Sequence, residues 1–207
     1  MDRYTTLYDF CAIDIDGNPF QFSTLKGTVC LIVNTASKGL NKRRLLELQD
    51  LQDKFGKRRF TVLAFPCGQF CSRERKSNAE VKEQYIDKMR LNFPVFEIVN
   101  VNGKYTHPLY QWLKSRAERG IVGRCIENNF VMFLVEGDGK TIHRLSALSA
   151  PAETERMIEL ALLKLEPPAV IVTNTQRVKP DGGQEVSTTV RLTSNKIDET
   201  INMEKVE

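Results

Sequence analysis

Two hydrophobic patterns alternate along residues 1–165. The segment "GTVCLIVNTA" at 27–36 is apolar almost throughout, which is typical of a central strand buried on both faces. "RFTVLAFP" at 59–66 has the same character, and Pro66 ends it. Between these strands, one face of a predicted helix carries Leu45, Leu48, Leu51 and Phe55. This alternation predicts a β-sheet covered by helices.

Helices and strands are also predicted between Ser77 and residue 165. Ser77 and Glu80 have capping-box spacing, which predicts a helix over about 78–90 with Val81, Tyr85 and Met89 facing inward. "FPVFEIVNVNG" reads as a short strand and turn, and "THPLYQWLKSRAE" as a helix. Residues 129–145 form a predicted hairpin with a "GDG" turn, followed by a helix from Pro151 to about Leu165.

The composition changes at residue 166. Residues 166–207 contain Pro-Pro, Gly-Gly, many Thr and Ser and no aromatic residue, so they have too little bulk for a core of their own. Their β-type patches "AVIVT" and "VSTTVRL" could pair with a strand edge. We therefore predict a domain at 1–165 and an extended C-terminal arm at 166–207.

Charge and composition narrow the classes of function. The net charge is only +4, and the basic runs at 41–44, 56–59 and 73–76 are short, as on solvated faces, so nucleic acid is not an expected partner. No apolar run approaches the ~20 residues that span a bilayer, and no leader-type segment precedes the first predicted strand. The cytoplasm is the expected location.

Several segments, taken in order, resemble the glutathione peroxidase family: "LYDFCAIDIDGNPFQFSTLKGTVCLIVNTASKGL", "VLAFPCGQF", "NFPVFEIVNVNG", "HPLYQWLK" and "NFVMFLVEGDGKTIHRL". The resemblance covers about residues 5–165. It implies a thioredoxin-like α/β fold, with a central β-sheet flanked by helices and followed here by the C-terminal tail. It implies no metal and no resident cofactor.

The resemblance also locates a missing sulfur. Members of the family reduce hydroperoxides with a cysteine or selenocysteine in a pattern like "NVASKCG", whereas this chain reads "NTASKGL" at 34–40. The peroxidatic residue is absent after Lys38, and a serine hydroxyl such as that of Ser37 cannot replace a thiolate. We expect the shortened turn to draw Leu40 inward so that it fills the former pocket.

The residues that polarise the family's thiolate are partly present. Gln69 and Asn129 match the family's glutamine and asparagine, but Asn128 replaces its tryptophan. With the sulfur gone, Gln69 and Asn129 are expected to bond loop backbone. The family's two-cysteine branch has a resolving cysteine where this chain has Ile86.

The five cysteines offer few replacements. Cys67 and Cys71 are four residues apart without a second pair, which is a weak zinc pattern. Cys30 lies within a predicted strand and is expected in the core. Cys71 is the candidate redox thiol, with Cys67 as its possible partner, because Arg73 and Arg75 follow Cys71 in the same loop and would favour a thiolate.

Three hypotheses follow. The first is a catalytically inactive member of the family, not an enzyme, that serves as a structural subunit of a large protein assembly. Its arm at 166–207 would contact partner proteins in an axonemal microtubule or an organellar ribosome, with a cytoskeletal, flagellar or mitochondrial location. The second is a hydroperoxide-reducing thiol oxidoreductase with its chemistry moved to Cys71 and Cys67. The third, an RNA-binding component, depends only on the basic runs.

Overall fold

The structure is a computed structural model that describes residues 4–71, 73–120 and 123–165, together with the backbone of 169–178 and 184–193. The chain divides into two compact units, Met1–Leu162 and Leu163–Glu207.

The first unit is built on a four-stranded sheet. A short antiparallel hairpin precedes it, formed by β1 (Cys11–Ile13) and β2 (Pro19–Gln21). The sheet strands are β3 (Val29–Thr35), β4 (Phe60–Pro66), β5 (Met132–Val135) and β6 (Ile142–Leu145), in the order β4-β3-β5-β6. Strand β3 is parallel to β4 and antiparallel to β5, and all seven of its residues are buried. The uninterrupted apolar pattern of β3 therefore reflects its central place in the sheet.

The α-helices described in this unit are α1 (Asn41–Phe55), α2 (Asn78–Lys82), α3 (Pro108–Arg116) and α4 (Pro151–Leu163), the last residue of which begins the second unit. Helix α2 continues as a π-helical segment over Glu83–Lys88. The predicted capping box of Ser77 and Glu80 begins α2. Helix α3 begins with His107 as its N-cap and Pro108 in its first turn. The predicted α/β fold with a central sheet flanked by helices is confirmed.

One predicted strand is reduced to single bridges. In "FPVFEIVNVNG", Val95 pairs only with Ala64 and Phe96 only with Asp14. Pro94 has no N–H to extend a ladder, and its carbonyl accepts from the Ala64 N–H at 3.0 Å. The segment still fixes the edge of β4, next to the loop that follows this strand.

The second unit contains a β-hairpin. Strand β7 (Ala169–Val178) pairs antiparallel with β8 (Gln184–Thr193), from Ala169 opposite Thr193 to Val178 opposite Gln184. The two predicted β-type patches thus pair with each other. Contact of residues 166–207 with partner proteins stays a prediction. None of the described helices is long and apolar enough to cross a membrane.

Candidate functional site

The turn between β3 and α1, residues 36–40, is where the family resemblance expects a sulfur. It lies against the β4–α2 loop, which comprises residues 67–71 and 73–77. The N–H of Lys38 donates to the carbonyl of Arg73 at 2.9 Å. The N–H of Cys67 donates to the carbonyl of Thr35 at 3.0 Å. Cys71 lies between Cys67, which is bonded to the end of β3, and Arg73, which is bonded to the turn, so the segment that carries Cys71 is fastened on both sides.

A buried carboxylate joins the loop to the turn. Glu74 is only 2% exposed, and its Oε1 accepts from the Ser37 hydroxyl at 2.5 Å and from the Arg75 N–H at 2.6 Å. Its Oε2 accepts from the hydroxyl of Tyr85 in the π-helical segment. Burial raises the pKa of Glu74, and these hydrogen bonds oppose the rise. A titratable group thus lies directly behind the turn.

The tyrosine extends this cluster into β3. The Tyr85 hydroxyl is also 3.0 Å from the Oγ1 of Thr35. A tyrosine has one hydroxyl proton, and an ionised carboxylate can only accept, so Tyr85 donates to Glu74 and Thr35 donates to Tyr85. Burial, followed by the charge of Glu74, raises the pKa of Tyr85 well above its usual value, so the phenol keeps its proton.

The prediction that Leu40 fills the former pocket is wrong. Leu40 is 92% exposed, while Gly39 before it has a φ of +63°. This left-handed conformation, which glycine adopts at little cost, turns the chain outward instead of drawing the start of α1 toward the strand. The space behind the turn is occupied by Ser37 and Glu74, which are both buried.

Gln69 is bonded to loop backbone. Its Oε1 accepts from the N–H of Val101 at 2.7 Å and of Asn102 at 3.0 Å, and its Nε2 donates to the Asn102 carbonyl at 2.9 Å. This amide is therefore committed to the chain before α3. Its geometry gives it a role in holding the loop, whichever residue carries the chemistry.

The expectation that the Asn129 side chain also bonds loop backbone is wrong for the part of the chain that the structure describes. The Phe130 N–H donates to the Asn34 carbonyl at 2.7 Å, and the Asn34 Nδ2 donates to the Asn128 carbonyl at 2.9 Å, so this segment lies beside β3. Asn129 is 4% exposed, yet neither its Oδ1 nor its Nδ2 has a hydrogen-bond partner among the described residues. Asn128 is half-buried, and its Oδ1 accepts from the Asn129 N–H at 2.9 Å. A buried amide with no partner is rare and marks a place where a group could bind.

The cysteines divide by exposure: Cys30 and Cys67 are buried, and Cys11, Cys71 and Cys125 are exposed. Burial raises the pKa of Cys30 to about 12. It also raises the pKa of Cys67, whose thiol contacts the Gln69 Oε1 at 3.7 Å. The two buried thiols are thus held protonated at neutral pH.

The two arginines of the loop have different surroundings. Arg73 is exposed, whereas the guanidinium of Arg75 donates to the Oε1 of Gln84 at 3.2 Å and so is tied to the π-helical segment.

Among the described residues, no group of three His, Cys, Asp or Glu side chains is arranged to hold a metal ion.

Sequence reasoning missed Glu74. It lies in the run "RERK", which was interpreted as a solvated basic face, and Tyr85 was interpreted only as an apolar core residue. A single acid within a basic run is the one local sign of a buried carboxylate, and this sign is weak. The eleven-residue separation of Glu74 and Tyr85 is closed only by the tertiary fold.

Comparison with known proteins assigns the family. A family model described as "Glutathione peroxidase" matches residues 7–114. The chain belongs to the glutathione peroxidase family. It is 42% identical over 155 residues to the glutathione peroxidase-like peroxiredoxin gpx1 of Schizosaccharomyces pombe, covering 75% of this chain and 98% of that protein. It is 39% identical over 158 residues to glutathione peroxidase 1 of Helianthus annuus, covering 76% and 94% of the two chains.

Solved structures agree with the family assignment. The crystal structure of Trgpx in its apo form has a TM-score of 0.63 at 33% identity, over 77% of this chain and 97% of that one. The crystal structure of T. cruzi GPX1 has a TM-score of 0.62 at 30% identity, over 76% and 96%. The thioredoxin-like fold implied by the resemblance is thereby confirmed.

These relatives correct one prediction. The sequence was interpreted as a protein that is not an enzyme, and that prediction is wrong: relatives about 40% identical over most of the chain are named as glutathione peroxidases, so the family is one of enzymes. Other relatives carry the word chloroplastic or mitochondrial in their names. Of the first two hypotheses, the comparisons favour the thiol oxidoreductase.

Proposed function

We propose that this protein is a thiol-dependent oxidoreductase that reduces hydroperoxides, with Cys71 as its reacting sulfur. One observation carries the proposal. The exposed Cys71 lies in the β4–α2 loop, and hydrogen bonds at Lys38 and Cys67 fasten this loop to the end of β3, where the family resemblance expects the peroxidatic residue. A thiol in this loop can take over a site from which the original sulfur is missing.

The other thiols are less suited to this role. Cys30 and Cys67 are buried and protonated at neutral pH, because burial raises the pKa of each thiol. Cys11 is on β1 and Cys125 is in the segment before β5, so neither belongs to the loop at the β3–α1 turn. Cys67, the first residue of the loop, is buried, and the reductant in this proposal is therefore an external thiol.

The backbone at Cys71 supports a functional role. Its φ is +50°, in the left-handed region that residues other than glycine rarely adopt. Such a conformation costs on the order of 1 kcal/mol or more, and residues held in this way cluster at functional sites. Here the loop holds the cysteine at a strained point of an exposed bend.

The reaction balances with an external thiol as reductant. The Cys71 thiolate attacks one peroxide oxygen and the O–O bond breaks, which yields the sulfenic acid of Cys71 and, after uptake of a proton, an alcohol or water. Two equivalents of a low-molecular-weight or protein thiol then return Cys71 to the thiol, releasing one disulfide and one water. The substrate class follows from relatives named for phospholipid hydroperoxide and peroxiredoxin activity.

A peroxide-consumption assay tests this function. The purified chain, supplied with a thiol reductant, should reduce hydrogen peroxide or an organic hydroperoxide, and Cys71→Ser should abolish the reaction. Cys11→Ser and Cys125→Ser are matched controls, since each removes an exposed thiol outside the loop. Consumption no faster than that of unrelated free thiols, or equal rates in Cys71→Ser and its controls, would overturn the proposal.

The predicted cytoplasmic location, with its cytoskeletal or mitochondrial alternatives, is carried forward as a prediction. So is the contact of residues 166–207 with partner proteins of a large assembly. Neither is needed for the thiol chemistry proposed here.

A further inference from the structure

The buried cluster behind the β3–α1 turn consists of Thr35, Ser37, Glu74 and Tyr85. It connects three elements: the end of β3 with its turn, the β4–α2 loop, and the π-helical segment. Each contact uses a polar group that is removed from water, which makes the geometry demanding. A π-helical segment within a helix is itself common at functional sites.

The cluster fixes the loop at a point close to Cys71. Glu74 is three residues from Cys71, and the Arg73 carbonyl beside it accepts from the Lys38 N–H at 2.9 Å. If the carboxylate lost its contacts, a buried charge would be left with unsatisfied oxygens, and the loop would gain by moving Glu74 into water. The placement of the loop that carries Cys71 therefore depends on Glu74.

The proposed function assigns the chemistry to Cys71, and on that basis we propose that Glu74 is a positioning residue, which holds the Cys71-bearing loop against the β3–α1 turn through its hydrogen bonds with Ser37 and Tyr85. Glu74 does not touch the reacting atoms. It acts by fastening the β4–α2 loop to the turn, and Tyr85 anchors Glu74 to the π-helical segment.

Three titratable or charged groups besides Glu74 belong to this region. Tyr85 faces the carboxylate from the π-helical segment, and Arg75 attracts it from within the loop. The charge of Glu74 also contributes to the raised pKa of Cys67, the first residue of the loop, although burial is the larger cause. Tyr85 and Cys67 are protonated at neutral pH, so both are uncharged neighbours of Glu74. The hydrogen bonds of Glu74 can be altered by a single substitution.

Tyr85→Phe is the test variant, because it removes one hydroxyl from the cluster and keeps the buried ring. Tyr110→Phe is its matched control: Tyr110 is equally buried, and its hydroxyl has no hydrogen-bond partner among the described residues. Glu74→Gln is a second variant that keeps one acceptor oxygen for Ser37. All variants carry Cys11→Ser and Cys125→Ser, so that Cys71 is the exposed thiol under study.

Two measurements are made on each variant. Amide hydrogen exchange at Lys38 reports directly on its bond to the Arg73 carbonyl and does not require any activity. The second measurement is the ratio of the peroxide rate to the iodoacetamide alkylation rate at Cys71. Alkylation requires only an exposed thiol, whereas the peroxide reaction also requires the thiol to be positioned.

Tyr85→Phe should accelerate exchange at Lys38 by about tenfold and lower the rate ratio by a similar factor, the size expected for loss of one charge-assisted hydrogen bond. Glu74→Gln should have a smaller effect in the same direction, and Tyr110→Phe should change neither quantity. Equal exchange in the Tyr85 and Tyr110 variants would overturn the inference. So would accelerated exchange with an unchanged rate ratio, since Cys71 would then be indifferent to the cluster.

Failure of the proposed function gives a different result. If the unmodified chain shows no Cys71-dependent peroxide reduction, that function is overturned. The exchange measurement then still decides whether Glu74 and Tyr85 fasten the loop to the turn.

Discussion

Two sets of buried polar side chains flank the end of β3, and they differ in how their hydrogen bonds are satisfied. On one side, Ser37, Glu74 and Tyr85 bond to one another, so that each carboxylate oxygen of Glu74 has a donor. On the other side, Asn129 is buried with no partner for its amide among the described residues, and the Oδ1 of Asn34 is also unpaired. The first set fastens a loop, and the second contains buried amide atoms without a hydrogen-bond partner among the described residues.

This difference indicates how the site is organised. A buried polar group without a partner costs about 1–3 kcal/mol, so it persists only when a ligand, a former ligand or the surrounding packing accounts for it. Asn129 matches the asparagine that the family uses beside its sulfur, and this chain has no cysteine at 32–44. The satisfied cluster and the unsatisfied amide therefore predict opposite responses to substitution.

The largest expected effect is on the satisfied side. Glu74→Ala leaves the Ser37 and Tyr85 hydroxyls without their acceptor in a buried place, and we expect a loss of about 3 kcal/mol in the free energy of unfolding. Urea denaturation followed by circular dichroism measures it. Glu83→Ala, at an exposed position, is the control and should change stability little. Equal stability of the two variants would mean that the cluster contributes nothing to the fold.

A second prediction restores the missing group beside Asn129. Inserting a cysteine between Lys38 and Gly39, together with Asn128→Trp, should raise hydroperoxide turnover at least about tenfold, which corresponds to 1.4 kcal/mol of activation free energy. The rise should persist in a Cys71→Ser background, because the new thiol occupies the position that the resemblance assigns. A serine inserted at the same point is the control, and equal rates for the two insertions would argue against a retained pocket.

The stability contributed by Glu74 should depend on pH. Burial raises the pKa of Glu74 above its usual 4.5, so its contribution to stability is complete below pH 4.5 and is lost as the pH rises through the raised value. The stability of the unmodified chain relative to Glu74→Gln should therefore fall across this window in urea denaturation. Glu83 has a lowered pKa because of its bond with Lys88, so the comparison with Glu83→Gln should change in the opposite sense. A flat difference for Glu74 would mean that its pKa is unaffected by folding.

The smallest expected effect is on the unsatisfied side. Asn129→Leu removes a buried amide that bonds to nothing described, and should leave the free energy of unfolding unchanged or raise it by up to about 1 kcal/mol. Asn34→Leu removes an amide that donates to the Asn128 carbonyl at 2.9 Å, and should lower it by about 1 kcal/mol. Thermal denaturation of the two variants compares them. A marked loss in Asn129→Leu would show that this amide has a partner after all.

Much of the fold follows from local patterns. The uninterrupted apolar run at 27–36 predicts a buried strand, and β3 is buried throughout. Ser77 and Glu80 predict the start of a helix because their side chains satisfy free N–H groups of the first turn, and α2 begins there. These features depend on neighbours in sequence, so the sequence alone is enough to predict them.

The site depends on contacts between distant parts of the chain. The hydrophobic pattern correctly predicts that Tyr85 faces inward. It does not indicate that the Tyr85 hydroxyl is hydrogen-bonded to Glu74. Leu40 is predicted to turn inward because it is bulky and close to the turn, yet the left-handed Gly39 directs it into solvent. Each outcome is set by backbone geometry and by hydrogen bonds that form only when the loop and the turn are brought together.

Residue type and order are enough to predict the alternation of strands and helices, the family resemblance and the absence of a sulfur after Lys38. The burial of Glu74 within a basic run is seen only in the folded structure, as is the lack of a hydrogen-bond partner for the Asn129 amide among the described residues. The physical reason is that a polar side chain is stabilised or left unsatisfied by the groups that fold around it, and those groups come from distant positions in the chain.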